Sequence, residues 1–235
     1  MTTGRRDRTL RVAVVDYGAG NLVSIDQALT FVGAEVLVAT SASDLDRADA
    51  VIVPGVGAAA PAMDRLARAG LVDPLLRWIA LGRPYLGICL GLQLLFDGSD
   101  EDGASTFGVI PGRTVILAEA PTLPHIGWNQ VERRHEHTLF TGIDDGEDLY
   151  FVHSYAGRPE GPGAGSVTLA ETTHGSTFVS AIDHGNVLGV QFHPERSGGA
   201  GLRLLGNFTR WATALAAGAG AERSPVGAGG TAGGD

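Results

Sequence analysis

The chain carries a single cysteine, Cys89, set in YLGICLGLQLLF (85–96) between Gly87 and Gly91. With no second cysteine it cannot close an internal disulfide, so its chemistry is that of a lone thiol. An apolar strand, then G-I-C-L-G, then an apolar helix has the shape of a nucleophile elbow with sulfur in place of the usual hydroxyl. A sharp turn there pushes the side chain out beyond the carboxyl edge of a sheet, and small flanking residues make room for the strained backbone. The helix starting at Leu90 aims its free N–H groups and positive end at the sulfur, which favours the thiolate, and Leu90 N–H is a natural oxyanion donor. The competing reading is a small buried hydrophobe in a strand-to-helix turn. Glycine on both sides weighs against it.

A nucleophile needs a base. In GVQFHPERS (189–197), His193 and Glu195 follow an apolar strand, again at its carboxyl end. Residues two apart in an extended segment project to the same side, and Pro194 stiffens the link between them. Glu195 can therefore fix the tautomer of His193 and stabilise its imidazolium, the orienting task of a third triad member. An exposed His and Glu in a loop is the alternative for this motif taken alone. A third piece, PGVG (54–57), follows the apolar strand AVIV, where Gly55 and Gly57 permit a backbone twist that aims an N–H into the cleft. Three motifs meeting at one sheet edge, where open α/β sheets place their ligands, make a site.

The elements that must position these residues are legible in outline. RVAVVD (11–16), AEVLVAT (34–40), ADAVIVPG (48–55) and PYLGI (84–88) read as strands covered on both faces. Helical spacing of Leu22, Ile25, Leu29 and Val32 predicts a helix closed by Gly33. Residues 62–82 read as helical with a break near Gly70 to Pro74, and 90–96 as the elbow helix. Strands alternating with helices predict an α/β fold: one domain with an open, mostly parallel sheet and flanking helices. The second half offers short strand-like runs, TVILAE (114–119), DLYFVHSY (148–155), SVTLAET (166–172), TFVSAID (177–183) and NVLGVQF (186–192). DHGN (183–186) marks a hairpin between the last two. These runs predict an antiparallel extension packed on the same domain, closed by a helix over 201–217. Residues 1–9 read as a flexible start, 10–217 as the domain, and 218–235 as a disordered Gly/Ala-rich tail.

Composition excludes other classes. The chain has 235 residues, 44% of them hydrophobic and 18% charged, ordinary for a globular core. Seventeen Lys and Arg against 26 Asp and Glu leave a formal charge of −9, no footprint for nucleic acid or an anionic membrane. No apolar stretch approaches the roughly 18 residues of a membrane helix, and the start does not read as a secretory signal. A cytoplasmic protein is expected.

Taken together, G-I-C-L-G-L-Q with the later Q-F-H-P-E resembles the class I, triad-type glutamine amidotransferases, over about Arg11 to Leu215. DYGAGN, PGVG, PHIGWN (124–129) and YFVHSY (150–155), in that order, look like the glutaminase-subunit family of imidazole glycerol phosphate synthase, from histidine biosynthesis. The resemblance implies that Cys89 attacks the side-chain amide of glutamine, His193 protonates the departing ammonia, Glu195 holds His193, and water hydrolyses the γ-glutamyl thioester. It implies an oxyanion hole from Leu90 N–H and an N–H around Val56, and substrate contacts from Gly55, Gly57, Gln93, Ser154 and Tyr155. It implies no cofactor. It also implies a partner, a cyclase subunit with a (β/α)₈ barrel that receives the ammonia through a protein channel, docked on a face including Asn21, Trp128 and Tyr150. Trp128 and Tyr150 are aromatics flanked by turn residues, the type enriched in interface anchors; core packing is the alternative.

Other signals are discounted. Gly18 and Gly20 give G-x-G, but Val23 holds the third position of a dinucleotide fingerprint. His135 and His137 follow two arginines without a supporting Cys or carboxylate pattern, so no metal is expected. His153 reads as a hydrogen-bonded scaffold residue, His125 and His174 as loop residues, and Asp97, Asp100, Glu101 and Asp102 as a solvated loop. Two further functions stand as alternatives: the glutaminase of another amidotransferase, for anthranilate or pyridoxal phosphate, and a non-catalytic domain that has kept the scaffold.

Overall fold

The structure, a computed structural model, describes residues 9–221. The first half alternates as expected: β1 (Arg11–Val15), α1 (Leu22–Phe31), β2 (Glu35–Ala39), a single turn α2 (Ala42–Leu45), β3 (Ala50–Gly55), α3 (Ala59–Arg68), α4 (Val72–Ala80) and β4 (Tyr85–Cys89), leading into α5 (Leu90–Gln93). The helical stretch is interrupted at Gly70, whose φ of 65° suits a residue without Cβ. The second half is mainly strands: β5 (Gly98–Ser99), β6 (Gly112–Ile116), β7 (His125–Arg133), β8 (Glu147–His153), β9 (Tyr155–Pro159), the turn α6 (Ala164–Val167), β10 (Thr168–His174), β11 (Ser176–His184) and β12 (Val187–Val190). The closing helix α7 spans Gly198–Ala221, past the expected end at 217. The expectations for residues 1–8 and 222–235 lie outside the described residues.

Nine strands form one sheet in the order β2-β1-β3-β4-β12-β11-β10-β7-β8, and β5-β6-β9 form a second, small one. The first five strands of the large sheet are parallel and the rest antiparallel, so the predicted extension is continuous with the parallel sheet. Alternation explains the unbroken apolar runs. Val12 and Val14 of β1 face a core with Ile25 and Leu29 of α1 and Leu204, Leu205 and Phe208 of α7. Ala13 and Val15 face the opposite core, with Leu66 of α3 and Leu75 and Trp78 of α4. Both faces of the parallel half are thus buried, which holds its strand ends rigidly at the site.

Three expectations change. PHIGWN, to which no strand was assigned, opens β7 from His125, and the alternation of β7 is masked in sequence because exposed Ile126 and Trp128 are apolar while buried His125 is polar. TVILAE divides, its first half pairing in the small sheet and Leu117 lying beyond β6. The elbow helix is one turn rather than seven residues, with Leu94–Phe96 folding back under the small sheet. There the Phe96 ring lies where a Cβ on Gly157 would stand.

Candidate active site

Because β3, β4 and β12 run parallel, their carboxyl ends share one edge of the sheet. Cys89 ends β4 opposite Gly55 of β3, and β12 delivers Gln191 and His193 just beyond Val190, the partner of Ile88. Cys89 has φ 54° and ψ −108°, the one positive φ among described non-glycine residues. Such a backbone costs on the order of 1–3 kcal/mol and persists only where its surroundings over-determine it. The surroundings here are glycines. A Cβ on Gly91 would collide with the Val53 carbonyl, and one on Gly87 with the backbone of Gly91. One on Gly55 would meet the Tyr17 hydroxyl and, at 3.0 Å, the Leu90 Cβ. The elbow therefore needs each of them. Tyr17, from the DYGAGN turn, donates its hydroxyl to Pro54 O at 2.9 Å and so braces the PGVG segment from below.

His193 follows β12 at the start of a 3₁₀ turn, Pro194–Arg196. Its N–H donates to Tyr150 O at 2.8 Å, and its carbonyl accepts from Ser197 Oγ at 2.7 Å, so the segment is clamped to β8. His193 Nδ1 lies 2.8 Å from Glu195 Oε1, and the two side chains are only 6% and 2% exposed. Burial works against the imidazolium, yet the Cys89 thiolate and then Glu195 outweigh it and push His193 up to about 10. Nε2 is buried and makes no hydrogen bond of good geometry. The ring thus meets the sulfur through charge rather than an aligned bond, a looseness that resting sites commonly show before substrate engages.

A cavity of about 200 Å³ opens beside the sulfur, lined by Val56, Gly57, Cys89, Gln93, Glu101, His153, Ser154 and Tyr155. A smaller one of about 60 Å³ touches Asn21, Gly55, Val56, His193 and Glu195. A larger cavity, about 750 Å³, lies elsewhere, between the small sheet and β10–β11, and does not include Cys89. The expected substrate contacts all reach the first two, with restrictions. Gln93 is buried, and its Nε2 donates to Tyr155 O at 2.7 Å and to Gln191 Oε1 at 3.1 Å, leaving only Oε1 for a ligand. Tyr155 O also accepts from His153 Nδ1 at 2.8 Å, so both its lone pairs are engaged.

Of the expected docking residues, Trp128 is 56% exposed, which removes the core-packing alternative for it. It meets Tyr150 edge-on with 6.1 Å between ring centroids, and the Arg196 guanidinium sits 4.1 Å over the Tyr150 ring. Asn21 caps α1 through Ser24.

Two residues at this edge were given no role in sequence. Gln191 donates to Cys89 Sγ at 3.5 Å; a lone polar residue inside the apolar run VLGVQF was its signal. Glu101 lines the larger cavity, and burial followed by the charge of Asp102 raises its pKa. Its neighbour Asp102 accepts from Ala60 N at 2.6 Å, capping α3, so the acidic run is more than a solvated loop. His125 and His174 are likewise not loop residues: the buried His125 bonds His153 at 3.2 Å and stacks on His174 at 4.0 Å.

Comparisons with known proteins identify the family. Residues 13–210 match the family described as glutamine amidotransferase class-I. The imidazole glycerol phosphate synthase subunit HisH of Symbiobacterium thermophilum is 45% identical over 201 residues, covering 85% of this chain and 93% of its own length. That of Aquifex aeolicus is 45% identical over 208 residues, covering 88% and 99%. Among solved structures, a glutamine amidotransferase superposes with a TM-score of 0.65 at 21% identity over 87% of this chain and 98% of its own. PurLQS from Thermotoga maritima gives 0.63 at 19%, over 87% and 99%. With the family model matched over most of the chain and relatives 45% identical along nearly their whole length, the chain belongs to the class-I glutamine amidotransferases, in the family of the HisH subunits of imidazole glycerol phosphate synthase.

Proposed function

We infer that this chain is the glutaminase subunit of imidazole glycerol phosphate synthase, supplying ammonia from glutamine for histidine biosynthesis. The observation that carries the reading is the triad: a strained elbow cysteine on β4 and, one strand over, a histidine whose second nitrogen is held by Glu195 at 2.8 Å.

The chemistry follows from the charges. The Cys89 thiolate adds to the Cδ carbon of glutamine, and the carbonyl oxygen becomes an oxyanion beside Leu90 N–H and an N–H near Val56. His193, held as imidazolium up to about pH 10, gives its Nε2 proton to the amide nitrogen. The C–N bond breaks, ammonia leaves and a thioester remains. Neutral His193 then takes a proton from water as the hydroxyl attacks, the C–S bond breaks, and glutamate departs from a restored ion pair. Gln93 Oε1 and the Glu101 carboxylate offer acceptors for the substrate's α-ammonium.

Free ammonia in water would protonate and be lost to synthesis, so the product must pass directly to a second active site. The partner is the cyclase subunit, a (β/α)₈ barrel, docked over the exposed Trp128 and Asn21 and the half-buried Tyr150 beside the His193 turn. Mixing the chain with that subunit and its ribulosyl substrate tests the reading. Glutamine-driven formation of imidazole glycerol phosphate, with glutaminase turnover stimulated by this partner alone, is expected. Stimulation by an anthranilate or pyridoxal phosphate synthase instead would overturn it, as would a Cys89 that a glutamine-mimicking electrophile fails to label with the partner bound.

A further inference from the structure

We propose that Gln191 is a positioning residue that fixes the Cys89 sulfur and the Gln93 side chain in one arrangement. The proposal rests on the reading of Cys89 as the nucleophile. Gln191 is fully buried, and its backbone N–H is anchored to Ser180 O at 2.9 Å. Its amide spans the two functional groups: Nε2 donates to Cys89 Sγ at 3.5 Å and Oε1 accepts from Gln93 Nε2 at 3.1 Å.

The direction of these bonds is dictated from further away. Tyr155 O is a carbonyl and can only accept, so both Gln93 Nε2 at 2.7 Å and His153 Nδ1 at 2.8 Å must donate to it. His153, neutral, then has a lone pair at Nε2 and accepts from His125 Nδ1 at 3.2 Å. His125 in turn accepts at Nε2 from Asn129, whose amide also donates to Thr173 O at 2.9 Å. Every proton in this ladder has one place. Gln93 must therefore present N–H to Gln191, Gln191 must answer with its oxygen, and its N–H₂ is left facing the sulfur. A flipped Gln191 amide would oppose two donors at one end and an oxygen to a thiolate at the other. The sulfur is thus met by a fixed donor, which favours the thiolate and holds its χ1, while the same amide sets which atom Gln93 shows to the cavity.

The charged and titratable groups facing the sulfur are His193, backed by Glu195, Tyr17 from the turn after β1, with Arg65 of α3 acting on it, and Glu101 and His153 across the cavity. None of them is altered by the test. In the full-length chain, Gln191→Met keeps the volume and removes the donor. Its iodoacetamide alkylation rate at pH 7 is expected to fall about tenfold, with the rate–pH curve displaced to higher pH and the same plateau above it. In the complex with the cyclase subunit, glutaminase kcat should fall and KM should rise together, because Gln93 is released as well. A folded Gln191→Met whose alkylation curve overlays that of the wild type overturns the proposal. Should that variant not fold, Gln93→Met, which frees the Gln191 amide to rotate, is expected to shift the curve a few-fold in the same direction, and an unshifted curve again overturns it. A wild-type thiol that iodoacetamide leaves untouched would instead sink the nucleophile reading on which this one depends.

Discussion

Three histidines lie buried at the same edge of the sheet, one held as a cation and two held neutral. His193 is pushed up to about 10, whereas His153 is pulled down to about 3 and His125 to about 4. Burial lowers all three. The difference lies in what faces each ring. His193 has a thiolate on one side and a carboxylate on the other; His153 and His125 have each other, a carbonyl, an amide and a stacked His174. A histidine in this fold becomes an acid only where the chain supplies negative charge. Otherwise it becomes part of a neutral scaffold, its protons fixed by hydrogen bonds.

Removing the thiolate should break the contrast most completely. Cys89→Ala is expected to lower glutamine-dependent synthesis by at least about 10⁴-fold, while synthesis from added ammonium salts, measured in the complex with the cyclase, persists. Loss of both activities would mean that the elbow is needed for docking rather than for chemistry. His193→Ala should follow the same pattern. Withdrawing only the second negative charge should cost less: Glu195→Gln keeps the shape and a hydrogen-bond acceptor, and kcat should fall by about 10². An unchanged kcat would take Glu195 out of the triad.

The proposed docking face sharpens the comparison from outside, since Tyr150 and Arg196 connect it to the same His193 turn. Trp128→Ala removes an exposed ring that supports no core, so folding should be unaffected. Affinity for the cyclase subunit, read by titration calorimetry, should weaken about 30-fold, the effect of losing a typical aromatic anchor of about 2 kcal/mol. An unaltered affinity would move the interface elsewhere.

What sequence could show divides along the same line. Cys89, His193 and Glu195 announce themselves because they must lie at strand ends next to glycine or proline, and backbone constraints leave local marks. The parallel half of the sheet was readable for a related reason, since strands covered on both faces are apolar throughout. Of the neutral scaffold only His153 was read as a hydrogen-bonded residue. His125 and Asn129 come from β7, His153 from β8 and Gln191 from just beyond β12, and only their meeting across the sheet makes them a ladder. Strand β7 itself was hidden because its outward residues Ile126 and Trp128 are apolar, reversing the usual alternation on what is proposed as a docking face. Glu101 and Asp102 looked like solvent-facing charge because their partners, the cavity and the amino end of α3, are about forty residues away or on another layer.

The smallest expected effect tests the contrast without any activity. For His153 and His125 the native state resists protonation, so below the ordinary value of 6.5 the unfolded chain binds protons that the folded chain does not. Stability from these sites is complete above about pH 6.5 and is lost as pH falls towards 4 and 3. For His193 the sign reverses: its contribution is complete below 6.5 and is lost as pH rises through about 10. Urea unfolding of His153→Asn and His193→Asn, each subtracted from the wild type at every pH, isolates the two terms from the carboxylates they share. The His153 difference should shrink on acidification and the His193 difference on going alkaline, each by at most about 1.4 kcal/mol per pH unit for one proton. Two difference curves of the same slope would mean that His193 is as neutral as its neighbours. The thiolate–imidazolium pair would then not exist in the resting protein, and the proton that ammonia needs would have to come from elsewhere.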